Sequence, residues 1–223
     1  VILIPRTHVD TTWKRTFEQY HKDSVSKILS NIVKKLQFYN KLTFSWNEVS
    51  HLSFWWKTTT HRNRSGFRKL LKSGRLEITT GGWVEPDEGT THLFGLVHQL
   101  IEGHQWLKQH LNYSPKVGWL TSSVTHSPTM AYLLSASDVN ELVITNLHYA
   151  WEQFLAEFQY SDFMWIQNWD DDKSYPTNLN EALNRMGNDR FPRHTVLTHF
   201  LQFNSAGFKA CGPNGPICAA EYN

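Results

Sequence analysis

Cysteine is nearly absent: the 223-residue chain has two, Cys211 and Cys218, too few for a fold stapled by disulfides. Charge is also scarce. Lys and Arg number 22 against 20 Asp and Glu, a formal net charge of +2, and charged residues make up 19% of the chain where about 25% is usual. No block of five or six like charges occurs, so a nucleic-acid partner or a charged disordered tail is excluded. No apolar run approaches the ~20 residues that cross a bilayer, so no membrane span is expected. Repeats of fixed period and Gly/Pro/Ser-rich linkers are missing too, and the chain reads as one domain, 1–223. Its start, Val1-Ile2-Leu3-Ile4-Pro5, has no Met, no basic residue and no long apolar stretch, and reads as a processed chain whose leader has been removed. What is abundant is aromatic: 10 Trp, 13 Phe and 8 Tyr are 14% of the residues, more than filling a core of this size requires.

The two cysteines enclose a loop rich in Gly and Pro, Cys211-Gly212-Pro213-Asn214-Gly215-Pro216-Ile217-Cys218. A metal pair usually spaces its cysteines by about two to four residues and needs further ligands nearby, which the tail lacks. The pair reads as a local disulfide, against two free thiols. A disulfide implies an oxidising compartment and hence a secreted, extracellular chain. The sequons at Asn63 and Asn112 agree, although Pro115 follows the second.

Alternation of elements is the main fold signal. Strands are expected at Val1–Ile4, Leu42–Val49, Arg75–Thr80, Val117–Thr121, Glu141–Thr145, Phe163–Trp169 and Thr195–Phe203. Between them, Val25, Ile28, Leu29, Ile32, Val33 and Leu36 keep helical spacing, as do Leu93, Leu96, Val97, Leu100, Ile101, His104, Leu107 and Leu111. A less regular helix spans Phe54–Leu71, Ser127-Pro128 caps another, and one covers Tyr149–Phe158. A polar insertion runs from Asp170 to His194. The class is α/β, with seven mainly parallel strands covered by helices, either a barrel or a doubly wound sheet.

Ligands of such folds sit at the carboxyl ends of the strands. There the chain places His8 and Asp10 with Trp13, then Trp46 and Glu48, then Glu85, Asp87 and Glu88, then Ser122 and His126, then Asn146 and His148, and finally Asp170–Asp172. His8 and Asp10 form an H-x-D pair able to share a metal ion, although a lone H-x-D is more often an ordinary strand terminus. Glu85, Asp87 and Glu88 could supply a glycosidase's paired carboxylates, or simply a solvated loop.

Taken together and in order, these residues resemble glycoside hydrolase family 38, the α-mannosidases of Golgi and lysosomal type. Pro5-Arg6-Thr7-His8-Val9-Asp10-Thr11-Thr12-Trp13 is similar to the family's P-H-S-H-N-D-P-G-W. Further matches are Trp46-Asn47-Glu48-Val49-Ser50, the run from Gly74 to Glu88, Gln99-Leu100-Ile101-Glu102-Gly103, Gly118-Trp119, His126-Ser127-Pro128-Thr129-Met130, His148-Tyr149 and Cys211-Gly212-Pro213. The resemblance implies a seven-stranded β/α barrel like the family's N-terminal domain.

It also implies a zinc pair at His8 and Asp10 and a sugar-binding role for Asp10 and Trp13. The family's next ligand, the Asp of G-W-A-x-D-P-F-G that is also the nucleophile, is Ser122 here, and an aromatic of the sugar site is Val124. Arginines of the family are replaced by Asn146 and Ile166, and a Tyr-Asp pair by Ala206-Gly207. The chain ends before the family's last zinc ligand and acid/base region.

Serine is a poor nucleophile without an adjacent base and cannot offset an oxocarbenium charge. Two zinc ligands are fewer than the three a catalytic site normally keeps. The expectation is therefore a secreted, catalytically inactive relative with a vestigial site and no resident cofactor, zinc being the one alternative. Its partner would be a mannose-containing glycan, a glycoprotein or another protein. Two alternatives stand beside it: an active glycosidase recruiting Glu85, Asp87 or Asp170, and a circulating signalling or storage protein with no carbohydrate role.

Overall fold

The computed structural model describes residues 4–120, 126–167 and 195–201. The first expected strand lies mostly outside them. Its continuation at Arg6 pairs in parallel with Ser45, beside β1 (Phe44–Trp46), which pairs in parallel with β2 (Leu76–Ile78). A second sheet has the order β3-β4-β6-β5, from Val117–Leu120, Glu141–Ile144, Val196–Phe200 and Asp162–Trp165. β3, β4 and β6 run parallel, and β5 is antiparallel to β6. Six of the seven expected strands are thus present among the described residues, in two sheets, and one runs against the others. An apolar run reads the same in either direction, so hydrophobic periodicity did not reveal that reversal.

The helices are α1 (Phe17–Tyr20), a π-helical turn (His21–Val25), α2 (Ser26–Phe38), α3 (Val49–Thr58), α4 (His61–Lys72), α5 (Leu93–Leu111), α6 (Pro128–Ala136) and α7 (Tyr149–Glu157). The single irregular helix expected over Phe54–Leu71 is two, α3 and α4. Thr60 caps α4, its hydroxyl accepting from the Asn63 amide, so the break comes from N-cap chemistry. The end of α2 is met by Arg75, whose guanidinium donates to the carbonyls of Leu36 in the helix, of its C-cap Tyr39 and of Leu42 in the turn beyond; this ties the helix end to the start of β2.

Two apolar cores result. One joins α2, α3 and α4 to β1 and β2 around Leu29, Trp46, Trp55, Phe67 and Ile78. The other lies under the second sheet around Leu120, Met130, Leu134, Leu142 and Val196. Helix α5 serves both, giving Leu107 to the first and Leu100 to the second. Much of the aromatic load is accounted for here: Trp46 and Trp55 are fully buried. Another part is left exposed on and just after α7, including Tyr149, Trp151 and Phe158.

The sheets meet at Thr80. Its amide donates to the Val117 carbonyl at 2.8 Å, its hydroxyl accepts from the Trp119 amide at 2.8 Å and donates to the Trp119 carbonyl, and its own carbonyl contacts His104 Nε2 at 2.8 Å. Thr80 has φ +57°, a conformation costly for a β-branched residue and kept only where surrounding bonds over-determine it. Gly81 follows at φ +72° and turns the chain toward the site.

Buried histidines make the stability of this half pH-dependent. His51 is fully buried and stacks on Phe17 at 4.7 Å. Burial holds its pKa below the ordinary value, the Asp10 backbone opposing and His21 adding to the shift. A lowered folded-state pKa gives stability that is present above the unfolded value of about 6.5 and is lost as pH falls through the folded value. His51→Leu is therefore expected to lose less melting temperature than the unaltered chain between about pH 7.5 and 5.5, measured by circular dichroism; an equal loss would contradict this.

Candidate functional site

Helix α3 begins against the loop after β2, the amides of Val49 and Ser50 donating to the carbonyls of Gly82 (3.2 Å) and Trp83 (3.0 Å). From the other side α5 holds the same loop: the Trp83 amide donates to the Gln99 carbonyl and the Val84 amide to Gln99 Oε1. Gly103 of α5 packs against the backbone of Gly81–Trp83. Clamped in this way, the loop delivers Glu85 to the end of β1.

There Glu85 meets Glu48 and His8. One ligand atom from each of the three lies within 4.8 Å of the others. His8 sits between carboxylates, with Nδ1 3.8 Å from Glu85 Oε2 and Nε2 3.9 Å from Asp10 Oδ1. The Asn47 amide donates to Glu85 Oε2 at 2.8 Å, and Arg6 Nη2 stands 3.6 Å from the same oxygen. Arg6 also lies over the Trp119 ring. Glu48 Oε1 accepts from the Val9 amide at 3.0 Å, while Trp46 Nε1 donates to the Glu48 carbonyl at 2.7 Å. Glu85 raises the pKa of His8, with burial opposing. Burial, with the nearby Glu85 charge, raises that of Glu48. A pocket of about 80 Å³ opens beside the cluster, lined by His8, Asp10, Thr11, Glu48 and Glu85 among others.

The expected residues are only partly brought together. His8 and Asp10 are adjacent and half exposed, and Trp13 is 73% exposed in the loop that follows. Trp46, expected at the rim, belongs to the core instead, its indole turned inward. The three acids after β2 separate. Glu85 joins His8, Asp87 bonds the Gly89 amide and the Thr90 hydroxyl, and Glu88 is buried against His126 Nδ1 at 3.0 Å and the Ser127 amide at 2.7 Å, where it holds the start of α6. Asn63 lies in the first turn of α4, its side-chain amide donating to Thr59. Asn112 is the exposed left-handed cap of α5. Ser122, Val124, Asp170–Asp172, Ala206-Gly207 and the Cys211/Cys218 pair lie outside the described residues.

Zinc at the His8–Asp10 pair alone would have two donors on a half-exposed rim, fewer than a stable site needs. Among the described residues, three donors converge only where Glu48 and Glu85 join His8. Sequence reasoning set Glu48 on the rim beside Trp46 and assigned it no chemistry, although a lone acid between apolar Trp46 and Val49 at a strand-to-helix junction was the available signal.

Solved carbohydrate-acting enzymes share this fold. The chain superposes over 98% of its length on 29% of the 4-alpha-glucanotransferase from Thermococcus litoralis, with a TM-score of 0.57 at 14% identity. It covers 24% of a protein in the glycosyl hydrolase family 38 from Enterococcus faecalis, with a TM-score of 0.51 at 11% identity. The fold is thus α/β and of a kind found in glycoside-processing enzymes. The sequence narrows the class: residues 1–208 match the glycosyl hydrolases family 38 N-terminal domain, and the chain belongs to that family. It is 39% identical to Alpha-mannosidase 2 of Spodoptera frugiperda and 37% identical to Alpha-mannosidase 2 of Homo sapiens, over 98% of the chain in each case. It spans 18% of the length of either relative.

Proposed function

We propose that the chain is a secreted, catalytically inactive domain of the α-mannosidase family that binds a mannose-containing glycan or glycoprotein at the rim formed by His8, Asp10 and Trp13. Its two sheets would be parts of one β/α barrel. The observation that carries this reading is the position of the carboxylates. Retaining glycosidases need a carboxylate nucleophile and a second carboxyl group about 5–5.5 Å away, both facing the substrate. At the nucleophile position the sequence has Ser122. Glu48 is buried and Glu85 is held by Asn47 and Arg6, and the pocket that both line, about 80 Å³, is well below the ~300 Å³ at which ligand sites usually begin. Trp13, strongly exposed, offers the apolar ring face that suits a pyranose.

A second reading, an active α-mannosidase using Glu85, draws on one observation, the closeness of Glu85 to Glu48. The expected result is no release of chromophore from an aryl α-mannoside by the purified chain with added zinc, together with calorimetric binding of an oligomannose glycan that Trp13→Ala weakens at least about tenfold. Turnover would establish the second reading. Absence of glycan binding would leave a signalling or storage protein with no carbohydrate role.

A further inference from the structure

We propose that the outer faces of α2 and α4 dock a linear sulfated polysaccharide, on a surface separate from the rim of His8, Asp10 and Trp13. The net charge of +2 hides a division of the chain. Residues 24–75 hold eleven of the 22 Lys and Arg and a single acid, Glu48, which is buried beside His8 and Glu85. The basic residues come at helical spacing among apolar ones, so no block of like charge stands in the sequence, and the fold gathers them on one side.

Gly66 of α4 packs on Val33 and Gln37 of α2, and Arg75 joins the end of α2 to the strand that follows α4, so the two helices lie side by side with their C-terminal ends together. Leu29, Val33 and Leu36 of one and Phe67 and Leu70 of the other face the core. That leaves Lys27 and Lys34 of α2, Lys57 at the end of α3, and Arg62, Lys69 and Lys72 of α4 exposed. Among the described residues none of these forms an ion pair, and Asp23, the acid that precedes α2, is taken by Arg15 at 3.0 Å. Folding does not account for all of this charge. The helix dipole favours cations in a last turn, which covers Lys69 and Lys72, and disfavours them in a first turn. His61 and Arg62 fill the first turn of α4 behind its Thr60 cap, with no acid among them. Arg64, Arg68 and Lys72 also follow one another at four-residue spacing, an arrangement of like charges that weakens a helix. A face that is cationic at a cost to its own helix is explained by an anionic partner.

The layout selects the kind of anion. From Arg62 to Lys72 the row runs ~15 Å along the helix, too long for a single phosphate or sulfate and suited to a chain with repeated anionic groups. The outer stripe of α4 exposes no large apolar side chain of the kind that a bilayer-bound helix buries, and no Phe, Tyr or Trp on which a base could stack. Phe38 and Tyr39, which are exposed, sit together at the end of α2, away from Arg62 at the opposite end of α4.

The test is heparin binding by the full chain, measured by isothermal titration at about 0.15 M salt and repeated at higher salt. Heparin is expected to bind with an affinity that falls steeply as salt rises, and uncharged dextran of the same length is expected not to bind. Arg62→Gln with Lys69→Gln is expected to lower the affinity at least about tenfold while leaving the melting temperature within about 3 °C of the unaltered chain. Lys34→Gln with Lys72→Gln decides the matter if that pair destabilises the fold. Lys14→Gln with Lys116→Gln makes the same change in net charge and is expected to lower the affinity less than about threefold. Absence of heparin binding overturns the proposal, as do equal losses in the two sets of variants, which would assign binding to net charge alone. Tighter binding of duplex DNA, or of vesicles of phosphatidylserine and phosphatidylcholine, than of heparin also overturns it. Trp13→Ala is expected to bind heparin as the unaltered chain does, whatever its affinity for oligomannose; a loss as large as in the Arg62 and Lys69 pair would place the polysaccharide at the rim and overturn the proposal.

Discussion

Gly103→Ala is expected to destabilise the chain by about 3 kcal/mol or more, at the upper end of what overpacking costs. A Cβ at this position would overlap the Gly81 carbonyl oxygen and stand 2.8 Å from the Gly82 carbonyl carbon and the Trp83 nitrogen. Backbone cannot rotate away as a side-chain tip can, so the helix or the loop must move. In a domain of this size about 1 kcal/mol corresponds to roughly 2–4 °C, so a fall of around 10 °C in melting temperature is expected. The matched control is Gly95→Ala in the same helix, whose added Cβ meets only the Thr91 methyl, at 2.9 Å. The gain in helix propensity there offsets the contact, and a change within about 1 kcal/mol is expected. Equal effects in the two variants would show that the loop is not held by close approach at Gly103. The same displacement would carry Glu85 out of position, since Trp83 and Val84 hang from Gln99 one turn earlier.

Trp46→Ala is expected to cost about 3–5 kcal/mol, the range for emptying a buried aromatic site. The indole is fully buried among Val49, Leu52, Trp55 and Ile78. It also fixes the backbone at Glu48 through its Nε1 bond, and Trp46→Phe separates the two roles. Phe keeps most of the volume and loses the bond, so a cost of about 1–2 kcal/mol is expected. Urea unfolding followed by circular dichroism measures both. A Phe variant as unstable as the Ala variant would mean that the hydrogen bond, and not the packing, dominates.

Trp46 also marks the limit of what a linear reading supplies. Its position at the end of a strand made it a rim residue by pattern, yet a strand of three residues followed at once by α3 turns it into the core. The strands themselves were legible because Val117–Leu120, Glu141–Ile144 and Val196–Phe200 are short apolar runs bounded by breakers. The direction of β5 was not, since direction is set by how the chain returns between β4 and β6. At the site, His8 and Asp10 were visible as a local spacing. The approach of Glu85 to Glu48 was not, because it depends on contacts between residues far apart in the chain: α3 amides on Gly82 and Trp83, Gln99 on Val84, and Gly103 on Gly81. The divergence of Asp87 and Glu88 from Glu85 has the same origin, since each acid follows a different neighbour, a turn amide or the start of α6.

Thr80 has a mechanical consequence. Each half of the chain has its own apolar core, and among the described residues the hydrogen bonds between the two sheets converge on Thr80, with Arg6 lying over the Trp119 ring beside them. Proteins open in cooperative units that follow such divisions. The second sheet can therefore fray by releasing the Thr80 bonds and the contact of Trp119 with Arg6, while His8, Glu48 and Glu85 stay on β1, α3 and the clamped loop. Local unfolding and the integrity of the carboxylate cluster are in this sense decoupled, with α5 as the shared spine.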